Sequence, residues 1–153
     1  MRLYLVRHGE ALPPDLDPDR GLSDRGQDQA ARVGKRLCQR GLRISDIRSS
    51  KKARARQTAE IIATELPGEI RPSTEAGLSP GDSVEAFAAG LRHQEQDLMV
   101  VGHLPFLPAL AAHLLEGQSA SPLSLPTSGV LILRREDEYG WSLEDRMLPE
   151  DQS

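Results

Sequence analysis

The chain has 153 residues, 38% apolar and 27% charged, with a formal net charge of −4 and an isoelectric point near 5.6. That length suits one domain with a sizeable core, and the acidic balance excludes the electrostatic footprint of a nucleic-acid or anionic-membrane binder, so any anion site must be local. The single cysteine, Cys38, excludes an intrachain disulfide framework and a cysteine-based zinc site, and suits a reducing compartment, with the cytoplasm as the default.

No run approaches the ~20 apolar residues that a membrane span needs. The N-terminus turns charged at Arg7, before a secretory signal's apolar region can form. "RLYLV" (2–6) reads as a buried strand. The loop after it carries Pro13, Pro14 and Pro18, which preclude regular structure. Ser23 then caps a helix with Ala30, Val33 and Leu37 near helical spacing and Gly41 as its stop; Cys38 lies in this helix and is assigned to packing.

"ISDIRSS" (44–50) reads as a second strand and "KARARQTAEIIATEL" (52–66) as a second helix, ended by Pro67 and Gly68. "EIRPS" (69–73) is a third strand, and "DSVEAFAAGLRHQ" (82–94) an amphipathic helix capped by Asp82 or Ser83. "DLMVVGH" (97–103) is another buried strand, followed by the helix "LPFLPALAAHLLEG" (104–117). "SGVLILRRE" (128–136) and "GWSLEDRML" (140–148) read as antiparallel strands joined by a "DEYG" turn. Alternating strands and helices predict a three-layer α/β/α sandwich with a mostly parallel central sheet and an antiparallel edge. With no internal repeat, low-complexity segment or linker, residues 1–153 are expected to form a single domain.

Two predicted strands end in a histidine beside a glycine, His8 with Gly9 and His103 with Gly102. Ligands of open parallel sheets gather outside the carboxyl ends of the strands, so both imidazoles should face one crevice. A third strand ends there too and leads into "KKARAR", a convergence of cations and imidazoles that suits phosphate. Each feature also has a plainer reading: Arg7-His8-Gly9 as a solvated turn, His103 as a satisfied core histidine, and the basic run as a solvated helix face. The last is kept for Lys51, Lys52 and Arg56. His93 and His113 match no motif, and no His, Cys or carboxylate cluster has metal spacing, so no metal is expected.

"VRHGE" (6–10), "SSKKARARQTAE" (49–60) and "VVGHLPF" (100–106) resemble, in order, the three signatures of the histidine phosphatase superfamily, which includes the phosphoglycerate mutases. The size, the "GHLP" form of the third signature and the short middle segment look most like its SixA type, the small bacterial phosphohistidine phosphatases. The resemblance covers nearly the whole chain and implies a phosphoglycerate mutase-like fold without a cofactor. It further implies a covalent intermediate on His8, with Arg7 and Arg54 clamping the phosphoryl oxygens, His103 completing the pocket and Gly9 allowing a sharp turn at the nucleophile. The chemistry agrees independently: a neutral imidazole can attack phosphorus in line, and neighbouring arginines lower its ordinary pKa of ~6.5.

Many ester-cleaving relatives carry a mid-chain glutamate that protonates the leaving alcohol, and Glu75 is the candidate here. Phosphohistidine needs less help, because its leaving imidazole has a pKa of ~6.5. The short middle segment leaves an open site able to admit a protein surface. The expected partner is therefore a phosphorylated protein, such as a histidine-containing phosphotransfer domain, met by a monomer. Arg20 is a candidate for guiding that partner or for pairing with Asp15, Asp17 or Asp19, and Thr127 and Ser128 are candidates for offering a hydroxyl to phosphate, though "PTSG" is also ordinary turn composition. The alternatives are a small-molecule phosphomonoesterase using Glu75 and a non-catalytic phosphate or phosphoprotein-binding module.

Overall fold

A computed structural model describes residues 1–116, 124–136 and 140–149. Its elements run β1 (Arg2–Arg7), α1 (Asp24–Gln39), β2 (Ile47–Ser49), α2 (Ala53–Glu65), β3 (Ser73–Thr74), α3 (Val84–Gly90) with a 3-10 turn at Leu91–His93, β4 (Leu98–Gly102), α4 (Phe106–Leu115), β5 (Val130–Arg135) and β6 (Trp141–Met147). Their order in the sheet is β3-β2-β4-β1-β5-β6. The first four strands are parallel, and β5 and β6 form the antiparallel edge. Residues 137–139 of the expected "DEYG" turn lie outside the described residues.

The apolar runs of β1, β4 and β5 are buried on both faces, as strands covered by helices on each side must be. Their side chains alternate between two cores. Tyr4, Val6, Met99, Val101, Val130 and Ile132 face α1 and α2, whereas Leu3, Leu5, Leu98, Val100, Leu131 and Leu133 face α4, with α3 packing alongside. Each fully buried Leu, Val or Ile contributes about 1.5–3 kcal/mol relative to exposure, so this double alternation fixes the strand register.

Local signals set the helix ends. Ser23 Oγ accepts the Gly26 amide at 3.0 Å and Ser83 Oγ the Ala86 amide at 3.1 Å, each satisfying a donor that the first turn leaves open. At the other end of α1, Gly41 has φ +83°. The Gly41 amide donates to Cys38 O and the Leu42 amide to Leu37 O, the paired closure of a Schellman motif. Cys38 is exposed on α1, next to the buried Leu37, so its expected packing role is corrected.

Two strands have less than half their expected length. The second covers only Ile47–Ser49, and the third is the exposed pair Ser73–Thr74 rather than residues 69–73. Pro72 has no N–H for a ladder, so pairing begins after it. No helix among the described residues is long and apolar enough to cross a membrane.

Candidate active site

Strand register brings the two histidines together. In the parallel β1–β4 pair, Arg7 lies opposite Gly102, so His8 and His103 leave the sheet side by side. The His8 amide donates to Gly102 O at 3.0 Å. Their ring centroids are 5.1 Å apart at an interplanar angle of 53°. β2 ends at the same level, with Ser49 opposite Val101 and the Ser50 amide donating to Val101 O. Side chains after β1, β2 and β4 thus converge on one crevice, where an open α/β sheet presents its ligands.

His8 is 9% exposed. Its Nδ1 lies 2.7 Å from Gly9 O, and a carbonyl can only accept. The proton therefore resides on Nδ1, and Nε2 keeps its lone pair. Burial, assisted by the charges of Arg54, Arg7 and Arg20, pushes the His8 pKa down to about 4 against the upward pull of the Gly9 bond. His103 is 2% exposed and is lowered to about 3, chiefly by burial and then by His8, Arg54, Lys52 and Arg7. Both rings are neutral at pH 7.

The arginines enter from separate elements. Arg7 closes β1, and its Nη1 donates to Leu125 O at 3.2 Å, while its Nε is buried with no partner among the described residues. Arg54 lies in the first turn of α2, half-buried. Burial lowers the pKa of both arginines, aided at Arg54 by the charge of Arg20, and a guanidinium remains charged under such shifts. Thr58 ties this turn to the loop after β1. Its hydroxyl accepts the Gly9 amide at 2.9 Å and donates to Arg54 O at 2.8 Å.

Gly9 is needed for space: it is not among the glycines with positive φ, so no left-handed conformation demands a glycine there. A Cβ at Gly9 would stand 2.6 Å from Gly26 O, and one at Gly26 would stand 2.0 Å from Glu10 O. The start of α1 and the loop after His8 are thus in backbone contact, which leaves that loop little freedom.

The remaining candidates separate. Ser128 (φ +57°) is buried beside the site. Its amide donates to Arg7 O and His8 O, and its Oγ is unpartnered among the described residues. Thr127 precedes it, half-buried. Arg20 Nε donates to Leu12 O at 3.1 Å, and Asp17, one of its expected partners, instead accepts the Asp19 and Gly21 amides. The charge of Arg20 still acts on His8 and Arg54. Glu75 lies 3.5 Å from Arg48 Nη1, in a group that includes Asp46. Lys51, Lys52, Arg56, His93 and His113 are exposed.

Two contacts escaped the sequence reading. Ser50 Oγ lies 2.5 Å from His103 Nε2, and Thr58 bridges as described. Both residues fall in the second signature, four positions either side of Arg54, and the i, i+4 spacing that sets Thr58 above Arg54 in α2 was a usable signal. Among the described residues, no three His, Cys, Asp or Glu side chains gather as metal ligands. Neither of two concavities of about 870 and 430 Å³ is lined by His8 or His103.

Comparison with known proteins matches residues 3–79 to the family model of the histidine phosphatase superfamily, branch 1. An uncharacterized protein of Picosynechococcus sp. is 39% identical over 141 residues, 88% of this chain and 85% of that one. The mitochondrial serine/threonine-protein phosphatase Pgam5 of Drosophila persimilis is 41% identical over 68 residues, 44% of this chain and 24% of that one. Among solved structures, the protein histidine phosphatase SixA complexed with tungstate superposes with a TM-score of 0.87 at 25% identity, covering 97% of both chains. A protein assigned as phosphohistidine phosphatase SixA from Agrobacterium tumefaciens gives 0.79 at 29% identity, again over 97% of each.

Proposed function

Because the chain belongs to the histidine phosphatase superfamily, we propose that it is a phosphohistidine phosphatase that dephosphorylates a protein through a covalent intermediate on His8. The observation that carries this reading is the His8 ring. Its Nδ1–H is held by Gly9 O, which leaves Nε2 unprotonated beside His103 and within the field of three arginines. The likeness to SixA supports the choice of substrate.

In the first step, His8 Nε2 forms a bond to phosphorus as the bond to the substrate's imidazole nitrogen breaks; the electron pair stays on that nitrogen, and the substrate ring, already protonated at its other nitrogen, leaves as neutral imidazole. Water then attacks the phosphohistidine, the bond from phosphorus to Nε2 breaks, and inorganic phosphate leaves with His8 restored. Splitting one displacement into two is the gain of a covalent nucleophile. Arg7 and Arg54 hold the equatorial oxygens and offset their charge. His103 completes the pocket, taking a proton as the dianionic group arrives, and Gly9 keeps the loop beside the phosphate compact. Ser128 and Thr127 form its further wall, and Arg20 adds positive charge at its entrance.

No acid is required of Glu75, whose carboxylate engages Arg48, and a leaving imidazole needs little protonation. The reaction is proposed to proceed without metal, in a single cytoplasmic domain spanning 1–153 that acts as a monomer. The test is phosphate release, in chelator, from a phosphohistidine-bearing phosphotransfer domain and from a panel of phosphate monoesters, with His8→Ala as control. A preference for the phosphoprotein that His8→Ala abolishes is expected. Faster turnover of one ester would transfer the assignment to a small-molecule phosphatase, and no His8-dependent turnover would leave a binding module.

A further inference from the structure

The proposed mechanism gives His103 a task but leaves open what holds its ring. His103 is 2% exposed and Ser50 is fully buried. Ser50 Oγ lies 2.5 Å from His103 Nε2 and also accepts the Lys52 amide at 3.3 Å. The Ser50 backbone is bonded to the strand that carries His103, through Val101 O. The serine is therefore anchored on both sides, and its hydroxyl is the described partner of the His103 ring, since Nδ1 is buried with no partner among the described residues.

A hydroxyl at this place has a property that no fixed donor or acceptor shares. While Nε2 of a neutral His103 carries no proton, Ser50 O–H donates to it. Once a phosphoryl dianion has drawn a proton onto the ring, Nε2–H donates instead, and Ser50 Oγ can accept it together with the Lys52 amide. The contact survives both protonation states by rotation of one hydrogen. Burial is the chief opposition to protonating His103, and the groups that add to it are all cationic or imidazole: His8, Arg54, Lys52 and Arg7. An incoming anion offsets the charges of these groups.

We propose that Ser50 is a positioning residue that acts through His103, holding its ring in one orientation while its proton is gained and lost during phosphoryl transfer. This rests on His103 serving the phosphoryl group as described above. Misorientation of a catalytic group on the scale of 1 Å costs up to about 100-fold in rate. Ser50→Ala should accordingly lower kcat by about 10- to 100-fold with a smaller change in KM, and shift the pH profile of kcat.

The decisive measurement is a double-mutant cycle with His103→Ala. In that background Ser50→Ala should change kcat by less than about 2-fold, because the group it positions is gone. An equal loss in both backgrounds, or no loss in the wild type, would overturn the proposal. Ser50→Thr, which keeps the hydroxyl, should recover most of the activity if urea unfolding shows it as stable as the wild type. A direct reading that needs no turnover is the 15N shift of His103 Nε2 in the free protein. It should move on Ser50→Ala while His8 stays put, and an unmoved signal would refute the contact. Absence of any His8-dependent turnover together with a shifted Nε2 signal would overturn the phosphatase reading instead.

Discussion

Burying two neutral histidines makes folding sensitive to acid, and the size of the effect can be worked out. An unfolded histidine titrates near 6.5, whereas folded His8 and His103 do so only near 4 and 3. Below pH 6.5 the unfolded chain therefore binds protons that the folded chain refuses, and stability falls as pH falls. It is fully present above about 6.5 and is lost down to the folded values. Each excluded proton gives a slope of about 1.4 kcal/mol per pH unit, which integrates to about 2 kcal/mol per histidine between pH 7 and 5 and about 4 kcal/mol for the pair.

Urea unfolding in phosphate-free buffer at the two pH values, for wild type, His8→Ala, His103→Ala and the double variant, isolates this quantity. Every other titrating group is common to all four proteins and cancels in the differences. The wild type should lose about 2 kcal/mol more than either single variant and about 4 kcal/mol more than the double variant. Parallel pH dependence in all four, with imidazole NMR titrations centred near 6.5, would refute the burial argument and the neutral nucleophile built on it.

Gly26→Ala would place a Cβ 2.0 Å from the backbone oxygen of Glu10; neither side can yield by rotating a side chain, so about 3 kcal/mol of stability and most turnover should be lost, read by urea unfolding and phosphate release. Arg54→Ala should lower kcat/KM by about 100- to 1000-fold, and Arg54→Lys should restore only part of it because the planar fork is missing; full rescue by Lys would argue for a point charge rather than a clamp. Glu75→Gln should leave phosphohistidine turnover within about 2-fold and remove less than about 1 kcal/mol of stability, as its pair with Arg48 is partly solvated. A large loss of turnover would make Glu75 the acid.

Local chemistry made much of this protein legible from its residues. The runs around Tyr4, Val100 and Leu131 have the apolar continuity of strands covered on both faces, Ser23 and Ser83 cap the helices they precede, and Gly41 closes α1. His8, Arg54 and His103 were singled out by the company of three motifs in order. What sequence left undecided was non-local. Strand neighbours and register, set by two cores packing at once, place β4 against β1 so that Arg7 meets Gly102 and the histidines stand 5.1 Å apart.

The state of the site is equally tertiary. Gly9 O fixes the His8 tautomer, burial keeps both rings neutral, and Ser50 reaches His103 across 53 positions of chain. The same cause explains the corrections. Cys38 is one residue beyond the buried Leu37 on a helix whose inward face depends on its neighbours, and the Leu12 carbonyl engages Arg20 only once the loop has closed. Backbone preferences and short motifs act within a few residues and can be read along the chain, whereas tautomers, pKa values and approach distances depend on atoms that only the packed fold brings near.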